Sequence, residues 1–318
     1  MFTFALELLS TQGNFAHSPC RPRWHRWELP TWGVGAAVYG GFFLVTWNFQ
    51  TLPLWLATPL TALLLAWHGS LQHETIHGHP TRSRYVNAAI GWVPLALWFP
   101  YAVYRKLHLR HHADAFSLTL PGRDPESHYR TAGRCSCVQL AARLVTELHC
   151  TLAGRLILGP AISIFRLWAG ECRQPLNRQR LGVWLGHVCG VAIVLGWVVG
   201  VCGIPLPLYL GAIVYPSISL ALLRSFAEHR AAPDPRHRTA VVETHAFWAL
   251  LFLNNQLHLV HHTKPHLPWY ELPRAWRDMK PSAEIGSGLL FSGGYCEIAR
   301  TYLFRPFIPV EHPGAQTR

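Results

Sequence analysis

The sequence is short of charge. Of its 318 residues only 14% are Asp, Glu, Lys or Arg, whereas 50% are hydrophobic; a soluble domain carries about 25% charged residues. The shortage is concentrated in two places. No Asp, Glu, Lys or Arg occurs from Gly33 to His73, and none from Leu181 to Leu223. Each stretch holds about 40 residues and one helical bilayer crossing takes about 20, so each reads as two spans joined by a turn. Turn signals stand where a hairpin needs them, "NFQTLP" at 48–53 and "VCGIPLP" at 201–207. The expectation is an all-α integral membrane protein with four transmembrane helices in two hairpins. Uncharged runs of this length exclude the buried helices of a soluble domain.

Other absences narrow the reading. The eight cysteines form no C-x-x-C pair, and most lie on the side expected to be cytoplasmic, where thiols stay reduced. "CSC" at 135–137 is too weak a ligand pattern to build on. The N-terminus, "MFTFALELLSTQGN", has no charged leader and carries Glu7 inside its apolar run. Residues 1–30 therefore read as a cytoplasmic, membrane-surface segment, not a cleaved signal. The net charge of +12 invites a nucleic-acid role, but no recognisable binding module accompanies it.

The placement of the positive charge is more informative. Of 28 Lys and Arg, three precede the first apolar stretch, 14 lie in 82–180 and 11 follow Leu223. The hairpin turns hold none. By the positive-inside rule both termini and the middle segment are cytoplasmic, and the basic surplus touches anionic headgroups of the lipid bilayer. Three further apolar stretches, 85–104, 152–168 and 244–257, read as interfacial or re-entrant helices forming a cytoplasmic cap. A crossing at 85–104 would split the histidines on either side of it between two membrane faces, and Pro94 and Pro100 interrupt it.

What the sequence has in plenty is histidine, 20 residues in all. "HETIH" places His73 and His77 at i, i+4; "HLRHH" places His108, His111 and His112, and "HLVHH" places His258, His261 and His262, at i, i+3, i+4. On a helix each set shares a face. "AEHR" adds His229 just past the fourth span. A faint repeat links the halves, each running hairpin, histidine, apolar stretch, histidine triplet. Neutral imidazole suits Zn, Cu, Fe and Ni, and nine histidines exceed what one ion can use. Two metals fit the count. Iron fits better than zinc, because a histidine cage beside lipid invites oxygen chemistry, which zinc cannot support.

"HETIH" alone spells the zinc-protease motif, with Glu74 as general base, but that reading gives no role to the two H-x-x-H-H sets. A metal transporter would place its ligands at mid-membrane, whereas these sit at one face.

The set "HETIH", "HLRHH" and "HLVHH", spread across two hairpins, resembles the membrane fatty acid desaturase superfamily over residues from about 30 to 275. The surrounding "HGHPTRS", "RSFAEHRA" and "NNQLHLVHHTKPHLPWYELP" are similar to its bacterial desaturase-like branch. The resemblance implies a desaturase-like membrane domain over 31–275, with 276–318 as a C-terminal cytoplasmic tail. It implies a di-iron centre with His73, His77, His108, His111, His112, His258, His261 and His262 as ligands, and His229 as the extra histidine after the fourth span. Glu74, Asp124, Glu126 and Glu228 are candidates to orient imidazole N–H groups, and Asn254 and Asn255 either to hold a ligand or bridging water or to cap a helix. His79 reads as structural or as a partner of a ligand, and His187 as hydrogen-bonded to a neighbouring helix.

The activity implied is an O2-dependent oxidoreductase that puts a double bond into an acyl chain held on a lipid, coenzyme A or a carrier protein. A hydroxylase or ketolase on the same centre is the alternative, differing in how the substrate radical is resolved. Without a C-x-x-C pair, haem motif or nucleotide-binding glycine loop, two electrons per turnover must come from a separate ferredoxin, rubredoxin or cytochrome with its reductase. A basic cytoplasmic surface suits an acidic carrier. The expected location is a bacterial inner membrane, with the active site on the cytoplasmic side.

Overall fold

The computed structural model describes residues 27–130, 137–283 and 285–316. Residues 1–26, where the membrane-surface segment is expected, and 135–136 of "CSC" lie outside this set. The chain divides into two units, one of 1–104 with 164–214 and one of 105–163 with 215–318.

The first unit is built on apolar helices. α1 (Leu29–Trp47) and α2 (Leu54–Ile76) pack side by side, joined by a turn over 48–52. The turn falls where "NFQTLP" indicates. Val34, Val38 and Phe42 form the buried stripe of α1, while Phe43, Leu44 and Trp47 face outward, as on a helix surrounded by lipid. At Gly41 a Cβ would stand 2.9 Å from Leu64 Cδ2, so glycine sets the close approach of the pair. α7 (Arg178–Val201) starts at Asn177, whose Oδ1 accepts from the Arg180 N–H at 2.8 Å. α8 (Leu206–Ser225) follows after four residues, and its 209–214 turn packs on α2.

After α2 the chain forms a nine-residue helix, α3 (Arg84–Trp92), and then an irregular stretch to Pro100. Pro94, Pro100 and Leu97, in the left-handed region at φ 66, prevent a continuous helix. The carbonyls of this region are met by side chains. Tyr209 Oη donates to Leu95 O at 2.7 Å, the His187 ring to Leu97 O at 3.0 Å, Gln72 Nε2 to Gly91 O at 2.7 Å, and Tyr39 Oη to Ile90 O. Non-helical backbone in an apolar surrounding requires such partners. His187 thus bonds a re-entrant-type segment and not a neighbouring helix. The reason is that an irregular backbone exposes carbonyls that a helix keeps for itself.

The second unit carries the rest of α4 (Tyr101–His112), a loop over 113–130, α5 (Cys137–His149), the start of α6 (Leu152–Cys172) and the end of α8. Beyond α8 come β1 (Val241–Val242), α9 (Ala246–Leu251), α10 (His258–Thr263), α11 (Leu272–Met279), β2 (Leu290–Phe291) and α12 (Gly294–Tyr302). β1 pairs with β2 in parallel, Val241 opposite Leu290. Its core gathers Val241, Leu257, Val260, Leu272, Ala275 and Trp276.

Among the described residues five helices are long and apolar enough to cross a membrane: α1, α2, α6, α7 and α8. That is one more than the two expected hairpins supply. The addition is α6, expected to be a surface helix over 152–168. It runs 21 residues, continuing through Pro160. Arg155, the charge that would mark it as interfacial, is buried with Nε on the His149 carbonyl at 3.2 Å. Neither 85–104 nor 244–257 forms a helix of crossing length.

Candidate metal centre

α4 ends in the first triplet, and the loop after it turns back to meet that triplet with carboxylates. Asp124 Oδ1 lies 2.8 Å from His111 Nδ1, and Glu126 Oε1 lies 2.7 Å from His108 Nδ1. The loop fixes Asp124 in turn, for its Oδ2 accepts from the Thr119 N–H at 2.8 Å and its Oδ1 from the Glu126 N–H at 2.9 Å. A carboxylate on Nδ1 holds the ring proton there and leaves Nε2 free to ligate, the usual outer partner of a metal-binding imidazole. His258 Nδ1 faces the Asn255 backbone carbonyl at 3.2 Å, with Glu228 Oε1 at 3.6 Å.

The Nε2 atoms converge. Those of His111 and His229 are 3.2 Å apart, His229 and His258 3.0 Å, and His258 and His262 3.1 Å. Ligand nitrogens of these four residues all lie within 4.8 Å of one another. Beside them His108, His112 and His261 form a second such group, with His112 Nε2 and His261 Nε2 3.1 Å apart. In the first unit His73, in the last turn of α2, and His77, its cap, place their rings 4.9 Å apart, with buried Glu74 between them in sequence.

The electrostatics suit a cation. Burial pushes His112 down to about 2 and His229 to about 3, and also depresses His108, His258 and His262, so these rings are neutral, the form that binds metal. Burial opposes charge on His111 as well, but Glu126, Asp124 and Glu228 outweigh it and raise the ring to about 9. Against its own burial Glu126 is held well below the carboxylate range by His111 and His108, while burial lifts Glu228. Neutral imidazoles around one point that stabilises positive charge, backed by carboxylates, fit a metal ion.

The remaining expected residues have definite places. Asn254, left-handed at φ 55, donates Nδ2 to the Trp269 carbonyl at 3.1 Å. Asn255 meets His258 through its backbone. Glu228 also faces Arg224 Nε at 3.5 Å, and His79 pairs with Glu28 at 2.8 Å. Sequence reading passed over Arg238. Its Nη1 donates to the Phe116 and Leu118 carbonyls, both at 3.0 Å, and its Nε to Ala232 O at 2.7 Å. It thereby ties the loop bearing Asp124 to the segment in which His229 pairs with Thr239. A lone arginine 114 positions from Asp124 carries no local pattern that would reveal this.

Apolar helices of crossing length together with buried, carboxylate-backed histidines define an integral membrane protein with a candidate metal centre. The fatty acid desaturase family model matches residues 49–292, which include all nine histidines, and the chain belongs to that family. No curated protein sequence matches it.

Proposed function

We propose that the protein is a membrane-bound, O2-dependent acyl desaturase whose two irons are held by His73, His77, His108, His111, His112, His229, His258, His261 and His262. The observation that carries this reading is the convergence of four Nε2 atoms from three separate segments, with the outer nitrogen of His111 backed by Asp124 and that of His258 by the Asn255 carbonyl and Glu228. Two ferrous ions, when bound, supply the reduction of O2 and the removal of hydrogen from an unactivated C–H bond. The chain's own part is to keep His108, His112, His229, His258 and His262 neutral by burial. Asp124 and Glu126 hold the Nδ1 protons, and the apolar helices keep bulk water from an acyl chain. Electrons come from a separate carrier docking on the basic cytoplasmic face.

The same contacts support a four-span topology. His111 Nε2 and His229 Nε2 are 3.2 Å apart within one unit, so both residues belong on one side of the bilayer. An even number of the helices between them, α6, α7 and α8, must therefore cross. The connection from α7 to α8 has no charge, whereas Arg173 lies between α6 and α7. α7 and α8 are the crossing pair, and α6 lies against the membrane.

Metal analysis of the purified protein and lipid profiling of a host expressing it test the proposal. About two irons per chain are expected, since nine imidazoles exceed one ion's needs; a single zinc overturns it. A new double bond, absent when His262→Ala is expressed, is the expected product. A new alcohol without an alkene assigns the hydroxylase outcome instead.

A further inference from the structure

The segment Phe307–His312 is joined to the loop that carries Asp124 and Glu126. The Arg130 N–H donates to the Val310 carbonyl at 2.8 Å and the His312 N–H to the Arg130 carbonyl at 3.1 Å. The rings of Tyr129 and His312 meet edge to face with centroids 5.0 Å apart. His312 is only 5% exposed.

We propose that His312 is a positioning residue for the candidate metal centre, acting on His111 through Thr119 and Asp124. The inference rests on the metal reading above. Its geometry is a chain of short contacts: His312 Nε2 to Thr119 Oγ1 at 3.1 Å, Thr119 N–H to Asp124 Oδ2 at 2.8 Å, and Asp124 Oδ1 to His111 Nδ1 at 2.8 Å. The His312 tautomer follows from its other side. The Gly314 N–H donates to Nδ1 at 3.0 Å, so Nδ1 carries no proton and Nε2–H is the group that donates to Thr119.

Thr119 needs this hold. Its φ is 72, a left-handed conformation that a β-branched residue adopts at a cost of about 1–3 kcal/mol unless its surroundings impose it. Two further bonds impose it: the N–H to Asp124, and the carbonyl, which accepts from Ser127 Oγ at 2.6 Å. The left-handed turn aims the Thr119 N–H at Asp124. Without His312 the residue can relax toward ordinary φ, and Asp124 loses the donor that orients it on His111. Thr119 and Asp124 are 2% and 6% exposed, so bulk water does not take the place of the lost bond.

The test uses the full-length protein in detergent, loaded anaerobically with ferrous iron, with release to a ferrous chelator followed in time. His312→Ala should release iron about tenfold faster, the low end of the effect of removing an outer partner. His312→Gln, whose amide N–H reaches the place of Nε2–H, should stay near wild type. His312→Asn, too short to reach Thr119, should behave as His312→Ala and serves in its place where alanine prevents folding. Asp124→Ala combined with His312→Ala should add little to Asp124→Ala alone. Wild-type release from His312→Ala or His312→Asn overturns the proposal. So does a His312→Gln protein as fast as His312→Asn with an equal fall in metal-free melting temperature, which marks a packing role. A wild-type protein that takes up no iron overturns the metal reading and this inference with it.

Discussion

The two units of this protein bury polar groups by different means. In the first, the polar atoms are the carbonyls of an irregular backbone, and neutral donors meet them one for one: Tyr209 for Leu95, His187 for Leu97, Gln72 for Gly91. No ionised side chain takes part in these bonds; the His79–Glu28 pair and buried Glu74 of the same unit lie outside them. In the second, the buried groups are imidazoles and carboxylates, and they face one another in a network of Asp124, Glu126, Glu228, Arg224 and the histidines. Neutral bonds satisfy the backbone and leave nothing over. The charged network leaves an unmet demand for positive charge, expressed as the raised His111. Paired neutral bonds of this kind serve structure; a buried network that stabilises positive charge suits a metal ion.

Changes in the second unit should break this contrast most severely. His111→Ala removes a proposed ligand nitrogen and the group that the carboxylates stabilise. Loss of activity and of iron from the four-histidine group is expected, read by metal analysis. Asp124→Asn keeps an acceptor but removes the charge, and should weaken metal binding by about tenfold or more. Metal uptake should also depend on pH with a defined sign. His111 is raised to about 9, so in the metal-free protein it is protonated below that pH, and a cation must displace the proton. Affinity should therefore fall as pH falls from about 9, with proton release measurable in weakly buffered solution. Asp124→Asn should flatten that dependence.

In the first unit a comparable deletion should be mild and should leave the metal alone. Tyr209→Phe strips the donor from the Leu95 carbonyl at a site with no exposure. Buried side-chain bonds in membrane helices average about 0.6 kcal/mol and reach about 1.7, so a small drop in melting temperature is expected with iron content unchanged. A loss of iron on Tyr209→Phe would show that the neutral bonds also position ligands, and would erase the distinction between the two units.

How much was legible in sequence follows the same division. The spans and the 48–53 turn were readable because bilayer thickness imposes a length and forbids charge. The histidine triplets were readable because a helix repeats every 3.6 residues. Asp124 and Glu126 could be named as partners but not assigned to His111 and His108, since the pairing depends on how one loop turns back. Arg238, Thr119 and His312 were invisible, because each acts through backbone carbonyls or a residue far along the chain. The 21-residue length of α6 was not legible, because nothing in the sequence shows that Arg155 is buried against the His149 carbonyl.

The smallest effect expected lies at the edge of the second unit, where Glu243 accepts from Lys280 Nζ at 2.6 Å and from Trp276 Nε1 at 2.8 Å. The lysine bond first, then the indole bond, hold the Glu243 carboxyl below its ordinary value. A depressed folded value means stability that is present above the unfolded carboxyl pKa and is lost as pH falls through the folded one. Lys280 is half exposed, so the pair is screened by solvent and Lys280→Ala should cost less than about 1 kcal/mol at neutral pH. Its signature is the pH dependence. The acid loss of stability should be smaller in Lys280→Ala than in wild type, because a less depressed carboxyl has less stability to lose, and added salt should reduce the difference. Trp276→Phe should shrink that loss less, though it removes a buried core donor and lowers stability at every pH. Thermal melts from pH 7 down to pH 3 on the three proteins separate an exposed ion pair from the buried charge network around His111, whose effects salt should barely touch.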